Sequence, residues 1–309
     1  MSDEQRLIDR LRAIARHPAA RELLDDAAVL PSPLARDLVV THDMLIEGVH
    51  YLSGDPPGDV AWKLVAVNLS DLAAKGAEPI GVLIGYGLTG RPDWDDPFVA
   101  GLARALDHFG VALLGGDTVA QPAGDARVLG LTAFGQVIPG GAPDRRGAHP
   151  GDLLFVTGPI GDAGIGLRIA RGEVEGPRRL LKAYRLPMPR LAEGRRLAPL
   201  AHAMTDISDG LLIDARRIGD ASGLAVTIDL DAIPLSADAR LFGEGRAARL
   251  AAATAGDDYQ LLCAVPPAHR AAAADLAVEI GHLCSGRGLT LYDRHGGVPL
   301  PPSLGYEHG

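Results

Sequence analysis

Aspartates beside small or hydroxyl residues recur where apolar segments of this sequence end. The segments are DDAAVL (Asp25, Asp26), VVTHD (Thr41, Asp43), NLSDLAA (Asp71), LLGGDT (Asp117) and MTDISDGLL (Asp206, Asp209). One such aspartate usually caps a helix or forms a turn, so Asp71 alone could be a cap and Asp117 alone a turn, and we expect Asp206 or Ser208 to cap the helix that follows them. Five such segments in one chain indicate a shared carboxylate site instead.

The chemistry of such a site follows from its charge. Strand ends of an α/β domain meet at one edge of the sheet, so carboxylates placed there would line one cleft. They would repel one another unless cations lay among them. Oxygen donors with few histidines and no cysteines favour Mg²⁺. The pattern therefore predicts a phosphate site with several magnesium ions.

The common nucleotide-binding motifs do not explain this pattern. GYGLTG at 85–90 matches G-x-G-x-x-G, but RPDWDDP follows it where a dinucleotide site needs the start of a helix. The sequence also lacks G-x-x-x-x-G-K-[ST]. Phosphates would be bound here without a Walker loop.

The elements that must position these residues alternate between strands and helices. DLVVTHDMLIEGVHY predicts a strand, a break and a second short strand, and DVAWKLVAVNLSDLAAKGA predicts a helix. The alternation favours a mixed α/β fold, and the tail RGLTLYDRHGGVPLPPSLGYEHG predicts a strand followed by a loop. A Pro/Gly-rich stretch at 138–152 suggests a boundary between domain 1–140 and domain 141–309.

Composition excludes several classes of protein. The chain has 309 residues, 47% of them apolar, and a formal charge of −9, which disfavours a nucleic-acid partner. Its two cysteines, Cys263 and Cys284, have no metal-ligand spacing. No signal peptide and no apolar run of about 18 residues is apparent, so we expect no membrane segment and a cytoplasmic protein.

Taken together, the motifs resemble the thiamine-monophosphate kinase family, from near residue 22 to the end. They are DDAAVL, VVTHDMLIEGVHY, VNLSDLAAKGAEP, LLGGDTV, RRGAHPGD, TGPIGDAGIGL, MTDISDGLLID, AGDDYQLL and GYEH, in the family's order and spacing. The resemblance implies a two-domain fold like that of aminoimidazole ribonucleotide synthetase. Its N-terminal domain would form a β-barrel with that of a second copy, giving a homodimer, beside a C-terminal α/β sandwich domain.

The resemblance also implies an activity and a set of site residues. The activity is ATP-dependent phosphorylation of thiamine monophosphate to thiamine diphosphate by direct in-line transfer, with several Mg²⁺ ions and K⁺ as a further candidate cofactor. The implied magnesium ligands are Asp26, Thr41, His42 through its backbone, Asp43, Asp71, Asp117, Asp206 and Asp209. The implied ATP-binding residues are Gly116, Asp117, Arg145 and Ser208, and those implied for thiamine phosphate are His50, Asp257 and Tyr306.

Elementary chemistry agrees with this activity. The acceptor is a phosphate oxygen with a second pKa of about 6, largely ionised near neutral pH, so no side chain is needed as a catalytic base. Taken alone, His50 is typical of a turn, Arg145 of a solvated hinge and Tyr306 of a tail. Within the motifs, His50 is expected to donate a hydrogen bond to the substrate phosphate and Arg145 to bind the nucleotide. Tyr306 is expected to stack its ring on the thiamine cation.

The chain also departs from the family pattern. Leu24 replaces a common glycine, Val99 an aromatic, His42 a hydroxyl residue, and Asp257 and Gln260 two glutamates. Two alternatives stay open. One is another ATP-using member of the superfamily with a different acceptor, and the other is a catalytically weakened protein that binds thiamine phosphate or nucleotide.

Overall fold

The computed structural model describes residues 10–14, 16, 36–122, 124–137 and 141–307. The chain divides into two compact units. The first is Met1–Leu72 with Glu78–Pro139, and the second is Ala73–Ala77 with Gly140–Gly309. The second unit therefore includes a short segment from the N-terminal half of the chain.

The first unit is a four-stranded sheet with two long helices. Its elements are β1 (Asp37–Ile46), α1 (Pro57–Ala74), β2 (Glu78–Leu88), α2 (Pro92–Phe109), β3 (Ala112–Ala120) and β4 (Val128–Val137). The strand order is β1-β4-β2-β3, with β2 and β3 parallel and the other pairs antiparallel. Among the described residues this sheet is open, with β1 and β3 at its edges, so one chain does not close a barrel.

The two faces of β1 differ, as the alternation of side chains along a strand requires. Leu45 on one face is 2% exposed, whereas Leu38, Val40 and Met44 on the other are 58%, 53% and 47% exposed. Helix α1 is apolar around most of its circumference and supplies much of the buried core of this unit.

The second unit contains a seven-stranded sheet of order β11-β10-β7-β9-β5-β8-β6. The strands are β5 (Leu153–Val156), β6 (Ala203–Ile207), β7 (Leu224–Asp229), β8 (Gln260–Val265), β9 (Val278–Ser285), β10 (Gly288–Asp293) and β11 (Gly296–Val298). The helices are α3 (Asp162–Ala170), α4 (Arg178–Arg185), α5 (Leu191–Leu197), α6 (Leu211–Ser222), α7 (Ala237–Arg240), α8 (Arg246–Thr254) and α9 (Arg270–Ala274).

Both faces of this second sheet are covered. Along β8, Leu262 packs into a cluster that contains residues of α6, while Leu261 and Cys263 pack into a second cluster with Leu197 of α5. Every residue of β6 and β8 is buried. Strands of this kind read as continuous apolar runs because neither face meets water.

The mixed α/β class expected from the sequence is confirmed, and several boundaries differ. β1 continues without a break to Ile46, and only a single bridge, between Glu47 and Tyr51, follows it. The segment after Gly288 forms β10 and β11, an antiparallel pair, where we expected a strand and a loop.

Within the described parts of the chain, every helix is too short or too polar to cross a bilayer.

Candidate functional site

A short hydrogen bond joins β1 to α1 in the first unit. The Thr41 hydroxyl donates to Oδ2 of Asp71 over 2.5 Å. Thr41 lies on the helix-facing side of β1, and Asp71 lies in the last turn of α1. Nearby, the backbone N–H of Asp43 donates to Oδ1 of the fully buried Asn68, again on α1. Two of the expected magnesium ligands, Thr41 and Asp71, are thus in direct contact.

The placement of the aspartates corrects two expectations. Asp71 is not an N-terminal cap, because α1 begins fourteen residues earlier, at Pro57. Asp43 and Asp117 do not follow strand ends, because they lie inside β1 and β3. These strands extend through the polar residues since pairing with β4 and β2 satisfies their backbone groups.

His42 points to the other face of β1. Its Nδ1 lies 2.9 Å from the hydroxyl of Thr132, the residue opposite it on β4. With its ring on that face, only the backbone of His42 lies beside Thr41 and Asp43. This geometry suits the expected backbone role of His42.

The ring of His50 is oriented by the turn after β1. Its Nδ1 accepts the backbone N–H of Ile46 over 3.0 Å, and its carbonyl accepts from Lys63 Nζ over 2.8 Å. An Nδ1 that accepts a hydrogen bond leaves the proton of the neutral ring on Nε2. His50 can therefore present an N–H donor to an anion.

Gly116 and Asp117 are exposed residues in the middle of the edge strand β3. A side chain at Gly116 would collide with the backbone carbonyl of Ile84 on β2, so glycine is required for this close approach. The close approach leaves the backbone of β3 open to solvent beside the Asp117 carboxylate.

In the second unit, charged side chains form hydrogen bonds to residues of β6. Arg145 donates to the Thr205 hydroxyl over 2.9 Å, which holds this guanidinium against β6. Lys75 donates to the carbonyls of Pro143 and Met204. Asp206 is buried, with 6% of its surface exposed. Two expected residues therefore meet β6: Asp206 belongs to the strand, and Arg145 binds the residue before it.

The turn after β6 is held by a residue that the sequence patterns did not single out. Asp214, 2% exposed, accepts the backbone N–H groups of Ser208 and Asp209, each over 3.2 Å. Arg217 donates to Asp214 over 2.8 Å and to Asp209 over 2.5 Å. Burial raises the pKa of Asp214, although the charge of Arg217 opposes the shift.

This turn overturns one expectation about helix capping. We expected Asp206 or Ser208 to cap the following helix, but the residue before α6 is Gly210, and no side chain caps it. Gly210 has φ of 132°, a conformation that favours glycine. Asp214, in the first turn of α6, instead binds the backbone N–H groups of the two residues before Gly210. Its signal was an acidic residue in a first helical turn.

Backbone hydrogen bonds bring the remaining expected residues to the same turn. The N–H of Asp257 donates to the carbonyl of Ser208 over 2.8 Å, and the N–H of Tyr306 donates to the carbonyl of Asp209 over 2.9 Å. Tyr306 is 46% exposed, so its ring is accessible to a ligand. The turn thus contains Ser208, expected to bind ATP, and Asp209, expected to bind magnesium. Asp257 and Tyr306, both expected to bind thiamine phosphate, are bonded to it.

The segment that carries Asp257 has an unusual backbone. Asp257 and Tyr259 have φ of 68° and 48°, the only positive values among the described residues other than glycine. The Tyr259 hydroxyl donates to Asp257 Oδ1 over 3.0 Å. Between them, Asp258 is half-buried and accepts the N–H of Gly161 at the start of α3. Such backbone conformations are maintained where the surroundings require them, often at functional sites.

The departures from the family pattern have defined places. Gln260 accepts hydrogen bonds from Thr157 and Arg190. Val99 is 5% exposed within α2, so it offers no surface for stacking. Asp26 and Leu24 lie outside the described residues.

Comparisons with known proteins agree with this geometry. Residues 24–137 match the AIR synthase related protein, N-terminal domain, and residues 149–294 match the AIR synthase related protein, C-terminal domain. A thiamine-monophosphate kinase of Caulobacter vibrioides is 42% identical over 314 residues, covering 97% of this chain and 88% of its own length.

Solved structures give the same result. The thiamine-monophosphate kinase of Stenotrophomonas maltophilia K279a is 34% identical, with a TM-score of 0.82 over 93% of this chain and 94% of its own. AaThiL complexed with AMPPCP and TMP is 29% identical, with a TM-score of 0.79 over 92% of this chain and 91% of its own. With the site residues described above, these matches show that the chain belongs to the thiamine-monophosphate kinase family.

Proposed function

We propose that this protein transfers the γ-phosphoryl group of ATP directly to thiamine monophosphate, which gives thiamine diphosphate and ADP. The observation that carries the proposal is the turn at Ser208 and Asp209. There, a residue proposed to bind ATP is hydrogen-bonded to a residue proposed to bind thiamine monophosphate. The complex of a relative with AMPPCP, an ATP analogue, and TMP supports the same pair of substrates.

The oxygen donors of the first unit suit magnesium. Thr41 and Asp71 place two oxygens in contact, and Asp43 and Asp117 offer further carboxylates, the hard donors that Mg²⁺ prefers. We propose that these residues hold Mg²⁺ together with Asp26 and the His42 carbonyl, and that Asp206 and Asp209 do so in the second unit. When bound, Mg²⁺ neutralises phosphate charge and orients the phosphates for transfer.

The chain's own residues position the two substrates. In our proposal the guanidinium of Arg145, held by Thr205, and Ser208 are the ATP-binding residues of the second unit, and Gly116 and Asp117 are those of the first. His50 donates from Nε2 to the phosphate of thiamine monophosphate.

The remaining contacts hold the thiamine end of the acceptor. We propose that Asp257 faces the cationic thiamine moiety and that the accessible ring of Tyr306 stacks on it. The acceptor oxygen is already ionised, so positioning and charge neutralisation replace a catalytic base. In this direct transfer, no side chain of the protein is phosphorylated. K⁺ stays a candidate further ion.

We also propose that the protein acts as a homodimer. The face of β1 that carries Leu38, Val40 and Met44 is apolar and exposed, and β1 is an edge strand of the described sheet. Apolar patches of this kind usually bind another protein surface, and a second copy would pair edge with edge. The Val40→Asp variant should then be monomeric by light scattering, with Leu241→Asp, a 73% exposed site in the second unit, as control. An unchanged dimer in Val40→Asp would exclude this face.

An assay separates the leading function from its alternatives. Purified protein is incubated with MgATP and thiamine monophosphate, and thiamine diphosphate is measured as its fluorescent thiochrome after oxidation. Other phosphorylated acceptors are run in parallel. Product from another acceptor alone would favour a different superfamily activity, and ligand binding without any product would favour a binding protein. We also propose that the protein acts in the cytoplasm, where MgATP is available.

A further inference from the structure

Two histidines and an aspartate converge in the second unit, at a place that the proposed transfer does not use. His149 and Asp152 belong to the loop before β5, and His202 precedes β6. Nδ1 of His149 lies 3.1 Å from Nδ1 of His202, which lies 3.0 Å from both carboxylate oxygens of Asp152. All three residues can place a ligand atom within 4.8 Å of the others.

The local fold builds this cluster. His149-Pro150-Gly151-Asp152 is a turn in which the N–H of Asp152 donates to the His149 carbonyl over 3.1 Å. Proline at the second position and glycine with φ of 93° at the third are typical of a type II turn. The N–H of His149 donates back to the Asp152 carboxylate. The two ends of the turn therefore face each other.

The loop that holds this turn also lies directly against His202, the residue before β6. A side chain at Gly147 would collide with the His202 carbonyl, so glycine permits this close approach. The N–H of His202 donates to the Ala264 carbonyl of β8, which fixes its backbone. The Asp152 side chain is 3% exposed and the His202 side chain 36%, so a buried carboxylate lies below imidazoles that solvent reaches.

Hydrogen bonding alone does not satisfy this arrangement. Nδ1 of His202 carries at most one proton but faces both the Asp152 carboxylate and Nδ1 of His149. If Nδ1–H of His202 donates to Asp152, the lone pair on Nδ1 of His149 faces an N–H that already has an acceptor. A cation would instead bind one lone pair from each of His149, His202 and Asp152.

We propose that His149, Asp152 and His202 form a binding site for a transition-metal ion, with Zn²⁺ as the ion of best fit. Ligand atoms bonded to Zn²⁺ at about 2.0–2.1 Å lie about 2.9–3.4 Å apart in common geometries, which matches the separations here. Imidazole nitrogens select Zn²⁺ over Mg²⁺, and exposed His149 leaves a coordination position open to water. The proposal does not rest on the proposed function.

Such an ion would fasten the loop to β6. Arg145, four residues before His149, donates to Thr205, three residues after His202. The ion would add a second connection between the same two segments. We expect a bound ion to raise the thermal unfolding temperature of the protein by several degrees, because it binds the folded state.

The test uses Co²⁺ as a spectroscopic substitute for Zn²⁺ in the full chain. The protein is stripped with EDTA, dialysed, and placed in excess MgCl₂ so that oxygen-only sites are filled. We expect one Co²⁺ per chain with the visible absorption of a nitrogen-ligated site, displaced by one equivalent of Zn²⁺. Thermal unfolding is followed with and without Zn²⁺.

Variants locate the ion. His149→Gln and His202→Gln should each remove the Co²⁺ band and the Zn²⁺-dependent rise in unfolding temperature. His295→Gln, at an exposed histidine whose backbone N–H donates to Asp293, is the matched control and should retain both. A band that persists in both histidine variants, or a wild-type protein that binds no Co²⁺ in MgCl₂, would overturn the proposal.

A second measurement tests the site in the wild-type protein, so that it does not depend on whether the variants fold. In the Co²⁺-loaded wild-type protein, the imidazole N–H protons of two bound histidines should give two strongly shifted, solvent-exchangeable NMR signals. Fewer than two such signals would overturn the two-histidine site without any substitution.

Discussion

The main-chain N–H of Asp257 donates to the main-chain carbonyl of Ser208 over 2.8 Å, although the two residues are far apart in the sequence. The same turn binds the N–H of Tyr306 through Asp209. Residues proposed for ATP and residues proposed for thiamine phosphate are thereby fixed to one another by backbone, not by flexible side chains. Their relative position is set before either substrate binds.

Replacing Asp257 with asparagine should separate the two substrates kinetically. Asparagine tolerates the positive φ of this position, so the backbone should be kept. Loss of the carboxylate should raise KM for thiamine monophosphate roughly tenfold with little change in KM for ATP. Asp275→Asn, at an exposed position on the same unit, is the control in steady-state assays. Equal changes in both KM values would assign Asp257 to the structure of the turn.

Replacing Asp71 with asparagine should remove activity and preserve the fold. The hydroxyl of Thr41 can still bond to an amide oxygen, but the charge that holds a cation is lost. We expect kcat to fall at least about a hundredfold, with an unfolding temperature close to that of wild type. Thr41→Val, which keeps the carboxylate, should lose less. Unchanged turnover in Asp71→Asn would show that this carboxylate serves only the contact between α1 and β1.

Replacing Asp214 with alanine should destabilise the second unit. Its buried carboxylate accepts two backbone N–H groups, which would lose this acceptor, and a bond from Arg217, which would keep only its bond to Asp209. We expect a loss of about 2–4 kcal/mol in the free energy of unfolding, measured by urea titration. Asp220→Ala, on the same helix but in an exposed ion pair with Arg216, should cost under about 1 kcal/mol. Similar losses for both variants would contradict the role of Asp214.

The ion pair between Arg246 and Asp293 should make stability depend on acid pH. Hydrogen bonds from Arg246 lower the pKa of Asp293 to about 2, against about 3.9 in an unfolded chain. Because the folded pKa is depressed, the stabilisation is present above about pH 4 and is lost as the pH falls toward 2. The gap in unfolding temperature between wild type and Asp293→Asn should therefore narrow over that range. A constant gap would contradict the pairing.

The sequence predicted the alternation of strands and helices, because apolar periodicity is a local property. It did not predict that β1 and β3 continue through Asp43 and Asp117, since strand pairing with β4 and β2 decides where those strands end. The roles of Asp214 and Asn68 were also missed. Asn68 binds the backbone of Asp43, which only the tertiary fold brings near, so local spacing carries no signal for it. Asp214 binds backbone N–H groups five and six residues before it, and an acidic residue in a first helical turn was its only signal.

The most direct test of the central claim is the ³¹P NMR spectrum of a reaction that contains purified protein, MgATP and thiamine monophosphate. Direct transfer predicts that the signals of ATP and thiamine monophosphate decrease together while those of ADP and thiamine diphosphate appear in equal amounts. Release of inorganic phosphate without thiamine diphosphate, or an unchanged spectrum from protein that binds both substrates, would contradict the account.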